Sequence, residues 1–423
     1  MSHYIFSGHD TVTLAKEYGT PLYVMSEDIL RDNIQGIKDA FEKTGAEYEI
    51  NFAGKSFLNL AMCRIVDEMG ICLDVASGGE LYTALQSGFD PARLCLHGNN
   101  KSREELEMAL DARVGRIVID NAVELDTLDQ LTRDREQHIT VLFRVTPGIS
   151  AHTHELIQTA TEDSKFGVPI RQARGVIGNA RKMPFIDVVG IHCHVGSQII
   201  DDAPFVMAMD IMMDLYKVLQ EDGLDLKEIN LGGGFGIPYL TGDESFDVMN
   251  HIPRMVAHIR EMSVKKALAM PRLVVEPGRY ISATAGITLY TVGTVKDIPG
   301  VKKYVCIDGG MADNPRPALY DAEYEALLCN HYGEASTETV TISGKACETD
   351  RLIASAKLPS AAPGDILAVR HTGAYNYSMS SNYNRLRRPA VVLLRGEQSG
   401  IIVERETYAD LIAHDRIVPW LEK

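Results

Sequence analysis

A β/α barrel of eight parallel strands joined to a second, mostly β domain is the fold class that the sequence predicts, on three observations. Between about residues 46 and 280, short β-branched runs alternate with longer helical patterns, as in repeated βα units around a parallel sheet. Eight such runs occur, which is the barrel number. After about Gly286 the pattern changes to strands and turns without the intervening helices.

The barrel strands are expected at Glu47–Ala53, Cys72–Ala76, Arg93–His97, Arg116–Asp120, Ile139–Val145, Asp187–Val195, Lys227–Leu231 and Arg272–Glu276. Leu58–Met69 and Phe205–Leu219 read as amphipathic helices between them, and Ser26 followed by Glu27 and Asp28 reads as an N-cap with acids at the favourable end of the helix dipole. Pro147–Pro169 has no helical period and is long for a barrel loop, so it is either a lid or an ordered excursion. Thr288–Val295, Tyr304–Ile307, Glu338–Ile342, Asp365–Arg370 and Ala390–Arg395 are the later strands, with a turn at Gly396–Gly400. Pro21–Met25 is a short strand expected to join them. The barrel domain is therefore expected at 26–283 and the mostly β domain at 1–25 with 284–423.

A chain of 423 residues is long enough for a large α/β unit and a smaller partner. With 45% hydrophobic and 24% charged residues it has the composition of an ordinary globular protein. A net charge of −16 without a basic stripe argues against nucleic acid and anionic lipid as partners. Seven cysteines, an odd number with no Cys-x-x-Cys spacing, suit reduced thiols better than disulfides or zinc. Neither a leader nor a membrane-spanning run is evident, so a cytoplasmic location is expected.

Catalytic groups of such a barrel collect where its strands end. Lys55 follows the first strand, Asp74 lies in the second, Arg144 near the end of the fifth, His194 in the sixth, and Glu276 at the end of the eighth. Period-two alternation puts Lys55 on the face of Asn51 and Ala53, toward the barrel mouth. A lysine desolvated there could form a Schiff base with an aldehyde cofactor, whereas an ordinary lysine would snorkel to solvent. Leu231-Gly232-Gly233-Gly234-Phe235-Gly236 follows the seventh strand, the usual phosphate side of this fold, although a bare glycine turn is equally compatible with structure alone. His192 and His194 share a strand face; a metal site would need further ligands at other strand ends, so no metal is expected and His192 reads as a core histidine. A carboxylate such as Glu276 opposite a pyridine nitrogen would keep that nitrogen protonated. Together these residues describe a site for pyridoxal phosphate.

The sequence resembles the alanine-racemase-like, pyridoxal-phosphate-dependent decarboxylases of the ornithine, arginine and diaminopimelate group. The most specific stretches are Gly190–Gln198, Leu231–Tyr239, Glu276–Ile281, Asp313–Pro317, Cys347-Glu348-Thr349-Asp350, Gly373–Tyr375 and Met379–Asn384. The resemblance implies that Lys55 holds the cofactor, His194 stacks on its ring and Glu276 pairs with the ring nitrogen. It places Ser197, Gly233, Gly234 and Tyr375 on the phosphate, with Gly278 and Arg279 nearby, and gives Asp74 and Arg144 orienting roles. Phe52-Ala53-Gly54-Lys55-Ser56-Phe57 departs from the Tyr-Ala-x-Lys-Ala-Asn of many relatives, so no role passes to a following Asn.

Cys347 is the candidate acid for the final proton transfer. A second substrate carboxylate asks for arginine, and Arg279 and Arg316 fit that need, with Tyr320 adding a hydroxyl bond and Glu348 pairing with a distal ammonium. Surface ion pairing is the alternative duty for Arg316. The expected reaction is decarboxylation of meso-2,6-diaminopimelate to L-lysine and CO2, the last step of lysine biosynthesis. A decarboxylase of ornithine or arginine type, a racemase of the same cofactor group and a catalytically silent relative stay open. Cys347 lies far outside the barrel strands, so it either folds back within its own chain or is lent to a partner; the resemblance implies the second, a homodimer with shared active sites.

Overall fold

A computed structural model describes residues 2–148 and 164–422. They form two compact units, one of Leu30–Pro238 with Gly242–Ser282 and one of Met1–Ile29 with Tyr239–Thr241 and Ala283–Lys423.

In the first unit, parallel strands Tyr48–Ala53, Cys72–Val75, Leu94–Leu96, Arg116–Ile119, Ile139–Thr146, Ile186–His192, Glu228–Asn230 and Arg272–Val275 pair in chain order. The eighth pairs with the first and the fifth with the sixth, so the barrel is closed. All eight expected strands are present, most of them shorter by a residue or more at one or both ends. Two-residue alternation stacks the inward side chains in tiers. At the N-terminal end, Arg116 makes a bidentate pair with Glu49 (2.8 and 3.0 Å) and reaches Glu228 through Nε (2.9 Å). Arg272 also pairs with Glu228. Gly190 is required here, since a Cβ would lie 2.5 Å from the Glu228 carbonyl oxygen. Buried Cys95, Val118 and Leu142 pack together above this layer.

The long connection expected over 147–169 falls mainly on residues 149–163, outside the described residues. Its end returns as Val168–Pro169, parallel to Val145–Thr146. Ser26 caps the helix Glu27–Glu42 by accepting the Ile29 N–H at 3.3 Å, as its sequence position suggests. Among the described residues no helix is long and apolar enough to cross a membrane.

The second unit is built on a sheet ordered Arg351–Leu358, Glu338–Ser343, Lys302–Ile307, Gly286–Ile298, Leu22–Ser26, Ala390–Arg395, Gln398–Val403. The N-terminal strand Leu22–Ser26 does join it, antiparallel to Gly286–Ile298 and parallel to Ala390–Arg395. Ile366–Val369 pairs with Gly286–Ile298 and with Ala326–Leu328. Among the described residues of this unit, Ala326–Leu328, Arg351–Leu358, Gln398–Val403 and the small pair Ile5–Phe6 with His9–Asp10 go beyond the sequence reading. The turn expected over Gly396–Gly400 is tighter, because Gln398 already pairs with Arg395.

Glu228 is buried between two arginines, so Glu228→Leu is expected to lower the unfolding free energy by about 3–5 kcal/mol through uncompensated charge. Denaturant midpoints check this; a loss under about 1 kcal/mol, the scale of exposed pairs, would show that the layer does not secure the barrel.

Candidate active site

Above the apolar tier, the C-terminal strand ends enclose a cavity of about 190 Å³ lined by Lys55, Asp74, His97, Arg144, Phe166, His192, His194 and Glu276 among others. Five of these, Lys55, Asp74, Arg144, His194 and Glu276, are the strand-end residues singled out in the sequence. Lys55 stands on the 3₁₀ turn Gly54–Ser56 rather than in the strand, and that turn lifts it out of the interior. Its side chain is exposed, which corrects the expectation of a desolvated lysine. Arg144 lays its guanidinium 4.5 Å from the Phe166 ring centre.

Glu276 organises the floor. Its Oε1 accepts from Asn230 Nδ2 at 2.6 Å and lies 3.2 Å from His97 Nε2, and its Oε2 lies 3.2 Å from His192 Nε2. His97 Nε2 is also 3.6 Å from Asp74 Oδ1, which accepts from Asn51 Nδ2 at 2.9 Å. Burial opposes a charge on His97, yet Glu276, with Cys95 and Asp74 behind it, raises its pKa well above the usual value. Burial also opposes the charge of Glu276, but His192 and His97 hold that carboxyl well below its usual range. Burial pushes His192 down to about 4 and His194 well below its ordinary value. The ion pair is therefore His97 with Glu276, and neutral His192 contributes an N–H. Burial, and then the Glu276 charge, push Asp74 up to about 6. His192 is fully buried, in keeping with the core histidine read from the sequence, and its Nε2 is spent on Glu276. His97, His192 and Glu276 also bring ligand-type atoms within 4.8 Å of one another.

The glycine turn is fixed by its neighbours. Gly232 N–H donates to Asn230 Oδ1 at 2.8 Å, and a Cβ on Gly233 would lie 2.1 Å from the Glu276 carbonyl oxygen. The N–H groups of Gly233, Gly234 and Gly278 donate to no carbonyl among the described residues. Arg279 is buried and donates from Nη2 to Ser197 Oγ at 2.8 Å.

Tyr375, Arg316, Tyr320, Cys347 and Glu348 belong to the second unit. Arg316 is 7% exposed and donates from Nη1 to the hydroxyls of Tyr239 (2.9 Å) and Tyr324 (2.6 Å). The rings of Tyr239, Tyr324 and Tyr375 lie within 5.1 to 5.9 Å of its guanidinium carbon. Surface ion pairing is thus excluded as its duty. Tyr375 has a left-handed backbone (φ 64°), and Tyr320 ends the short helix Arg316–Tyr320. Cys347 and Glu348 are exposed on the loop between Glu338–Ser343 and Arg351–Leu358.

Sequence reasoning missed His97, Asn230, Tyr239 and Tyr324. Parity could have found the first two, since His97 follows the third strand in step with Cys95 and Asn230 ends the seventh on the face of Glu228. Nothing local marks the tyrosines.

The chain matches the family model "Pyridoxal-dependent decarboxylase, pyridoxal binding domain" over residues 29–283 and "Pyridoxal-dependent decarboxylase, C-terminal sheet domain" over 247–373. It belongs to the pyridoxal-dependent decarboxylase family. It is 45% identical over 420 residues to diaminopimelate decarboxylase of Bacillus subtilis (strain 168), covering 98% of this chain and 95% of that one. Among solved structures it is similar to diaminopimelate decarboxylase from M. jannaschii in co-complex with L-lysine, with a TM-score of 0.92, 36% identity and coverage of 100% of this chain and 98% of that one. The Helicobacter pylori enzyme complexed with L-lysine gives a TM-score of 0.88 at 29% identity, covering 95% and 98%.

The opposite shifts of the two imidazoles can be read by ¹⁵N NMR of the histidines. At pH 6 a buried imidazolium is expected that disappears in His97→Gln, while His192 stays neutral until the pH approaches about 4. A neutral His97 at pH 6 would remove the ion pair from the account.

Proposed function

We propose that this chain is a pyridoxal-phosphate-dependent diaminopimelate decarboxylase that converts meso-2,6-diaminopimelate to L-lysine and CO2. Buried Arg316 carries the choice of substrate. A guanidinium enclosed by tyrosines suits a second carboxylate, whereas the cationic tail of ornithine or arginine would be repelled by it.

The barrel residues fit the cofactor. An exposed lysine amine shares a cavity with the ionised Glu276, the Asp74 Oδ2 atom is buried with no hydrogen-bond partner, and glycine amides remain available for a phosphate. When bound, pyridoxal phosphate supplies an aldehyde for covalent attachment and a protonated ring that accepts the electron pair of the breaking Cα–carboxylate bond. Lys55 would hold the aldehyde carbon and yield it to the substrate amine. Glu276 would keep the proton on the ring nitrogen, and the His97–Asn230–His192 network holds that carboxylate ionised and oriented. His194 would support the ring face, and Asp74 and Arg144 would orient Lys55 and the polar ring substituents. Ser197, Gly233, Gly234, Gly278, Arg279 and Tyr375 would hold the phosphate. Arg316, with Arg279 and Tyr320, would take the distal carboxylate and Glu348 the distal ammonium. Cys347 Sγ would deliver the proton that replaces CO2.

A homodimer in which each active site uses the partner's Cys347 and Glu348 completes this reading; the exposure of both residues on one loop supports it. Cytoplasmic residence accords with seven unpaired cysteines.

Parallel incubation with meso-diaminopimelate, ornithine, arginine and lysine tests the assignment. L-lysine and CO2 are expected from meso-diaminopimelate alone. Lys55→Ala should lose the visible absorbance of the attached cofactor and nearly all turnover. Amine products from the basic amino acids, or an unchanged spectrum in Lys55→Ala, would overturn it.

A further inference from the structure

The loop that carries Cys347 is held at three consecutive residues. Asp350, buried at the loop's end, accepts the Ala346 N–H on Oδ2 at 2.8 Å and the Met311 N–H on Oδ1 at 2.7 Å. The Cys347 N–H donates to Asn384 Oδ1 at 2.7 Å. The Tyr383 hydroxyl donates to Glu348 Oε1 at 2.5 Å. Behind them the Gly344 N–H donates to the Asp350 carbonyl at 2.7 Å, and the Lys345 N–H to the Gly309 carbonyl at 3.0 Å. Gly344 leaves no room for a side chain, because a Cβ there would lie 2.1 Å from an Asp350 carboxylate oxygen. The Cys347 amide is therefore tied to a second loop, and its exposed thiol sits on a backbone fixed from both sides.

Asn384 is suited to this on two counts. Its backbone is left-handed (φ 52°, ψ 25°), a conformation that asparagine tolerates better than most residues, and its side chain offers a carbonyl acceptor. Proton delivery to a carbon atom depends steeply on placement of the acid, and a displacement of about 1 Å can cost on the order of a hundredfold in rate.

We infer that Asn384 is a positioning residue for Cys347, which it aims by holding the Cys347 amide while Asp350 anchors the preceding residue. The inference rests on the assignment of Cys347 as the proton donor.

The test uses the complete holoenzyme and L-lysine formation from meso-diaminopimelate. Asn384→Gly keeps the left-handed backbone and removes the acceptor; Asn384→Asp keeps both. Asn384→Gly is expected to lower kcat about tenfold, with KM and cofactor absorbance retained, and Asn384→Asp to stay within about twofold of the native chain. Introduced into Cys347→Ala, Asn384→Gly should add no further loss, because the group it aims is gone. An equal loss in both backgrounds, or native kcat in Asn384→Gly beside an impaired Cys347→Ala, would overturn the positioning role alone. Native kcat in Cys347→Ala would overturn the proton-donor assignment and the positioning role together.

Discussion

A carboxylate buried at the C-terminal end of a barrel strand, on the floor of the cavity, is the constraint on which the site depends. Glu276 is 8% exposed, and an unpaired charge there would cost several kcal/mol. It is satisfied by groups from three other strand ends: Asn230 of the seventh, His192 of the sixth and His97 of the third. Because the contacts cross the barrel, Glu276 can be ionised only if the strands hold their registers. Asp74 and Asn51 join the same network from the second and first strands, and so tie the base of Lys55 to it.

The tiers divide the work. Glu49, Arg116, Glu228 and Arg272 neutralise one another at the N-terminal end, where few of their atoms meet solvent, and the apolar layer of Cys95, Val118 and Leu142 separates them from the cavity. The lower layer can therefore serve stability while the upper one keeps a perturbed set of acids and imidazoles for chemistry. In the second unit, the same economy of charge appears as one arginine solvated by tyrosines rather than by a carboxylate. That leaves its charge uncommitted toward an anionic ligand.

Much of this was legible in the sequence, for physical reasons. Buried parallel strands read as β-branched runs, and period-two alternation then fixes which residues face inward, so Asp74, His194 and Glu276 could be placed before any coordinates. The exposure of Lys55 could not, because a single 3₁₀ turn after the strand breaks the alternation. His97 and Asn230 looked like ordinary polar residues; their importance lies in Glu276, 179 positions away across the barrel for His97 and 46 positions away on the neighbouring strand for Asn230. Tyr239 meets Arg316 over 77 positions, and no local pattern encodes such a contact. Arg351–Leu358 escaped as a strand because its alanines and polar residues lack the β-branched signature, although pairing with Glu338–Ser343 stabilises it.

The central claim is that the charge held on Glu276 drives the chemistry. Glu276→Gln preserves shape and most hydrogen bonds while removing that charge, so the direct measurement is CO2 release from meso-diaminopimelate by this variant, with the absorbance of its bound cofactor recorded alongside. The account predicts that the cofactor remains attached and that CO2 release falls by about a hundredfold or more. A variant that binds the cofactor and releases CO2 at the native rate would contradict it.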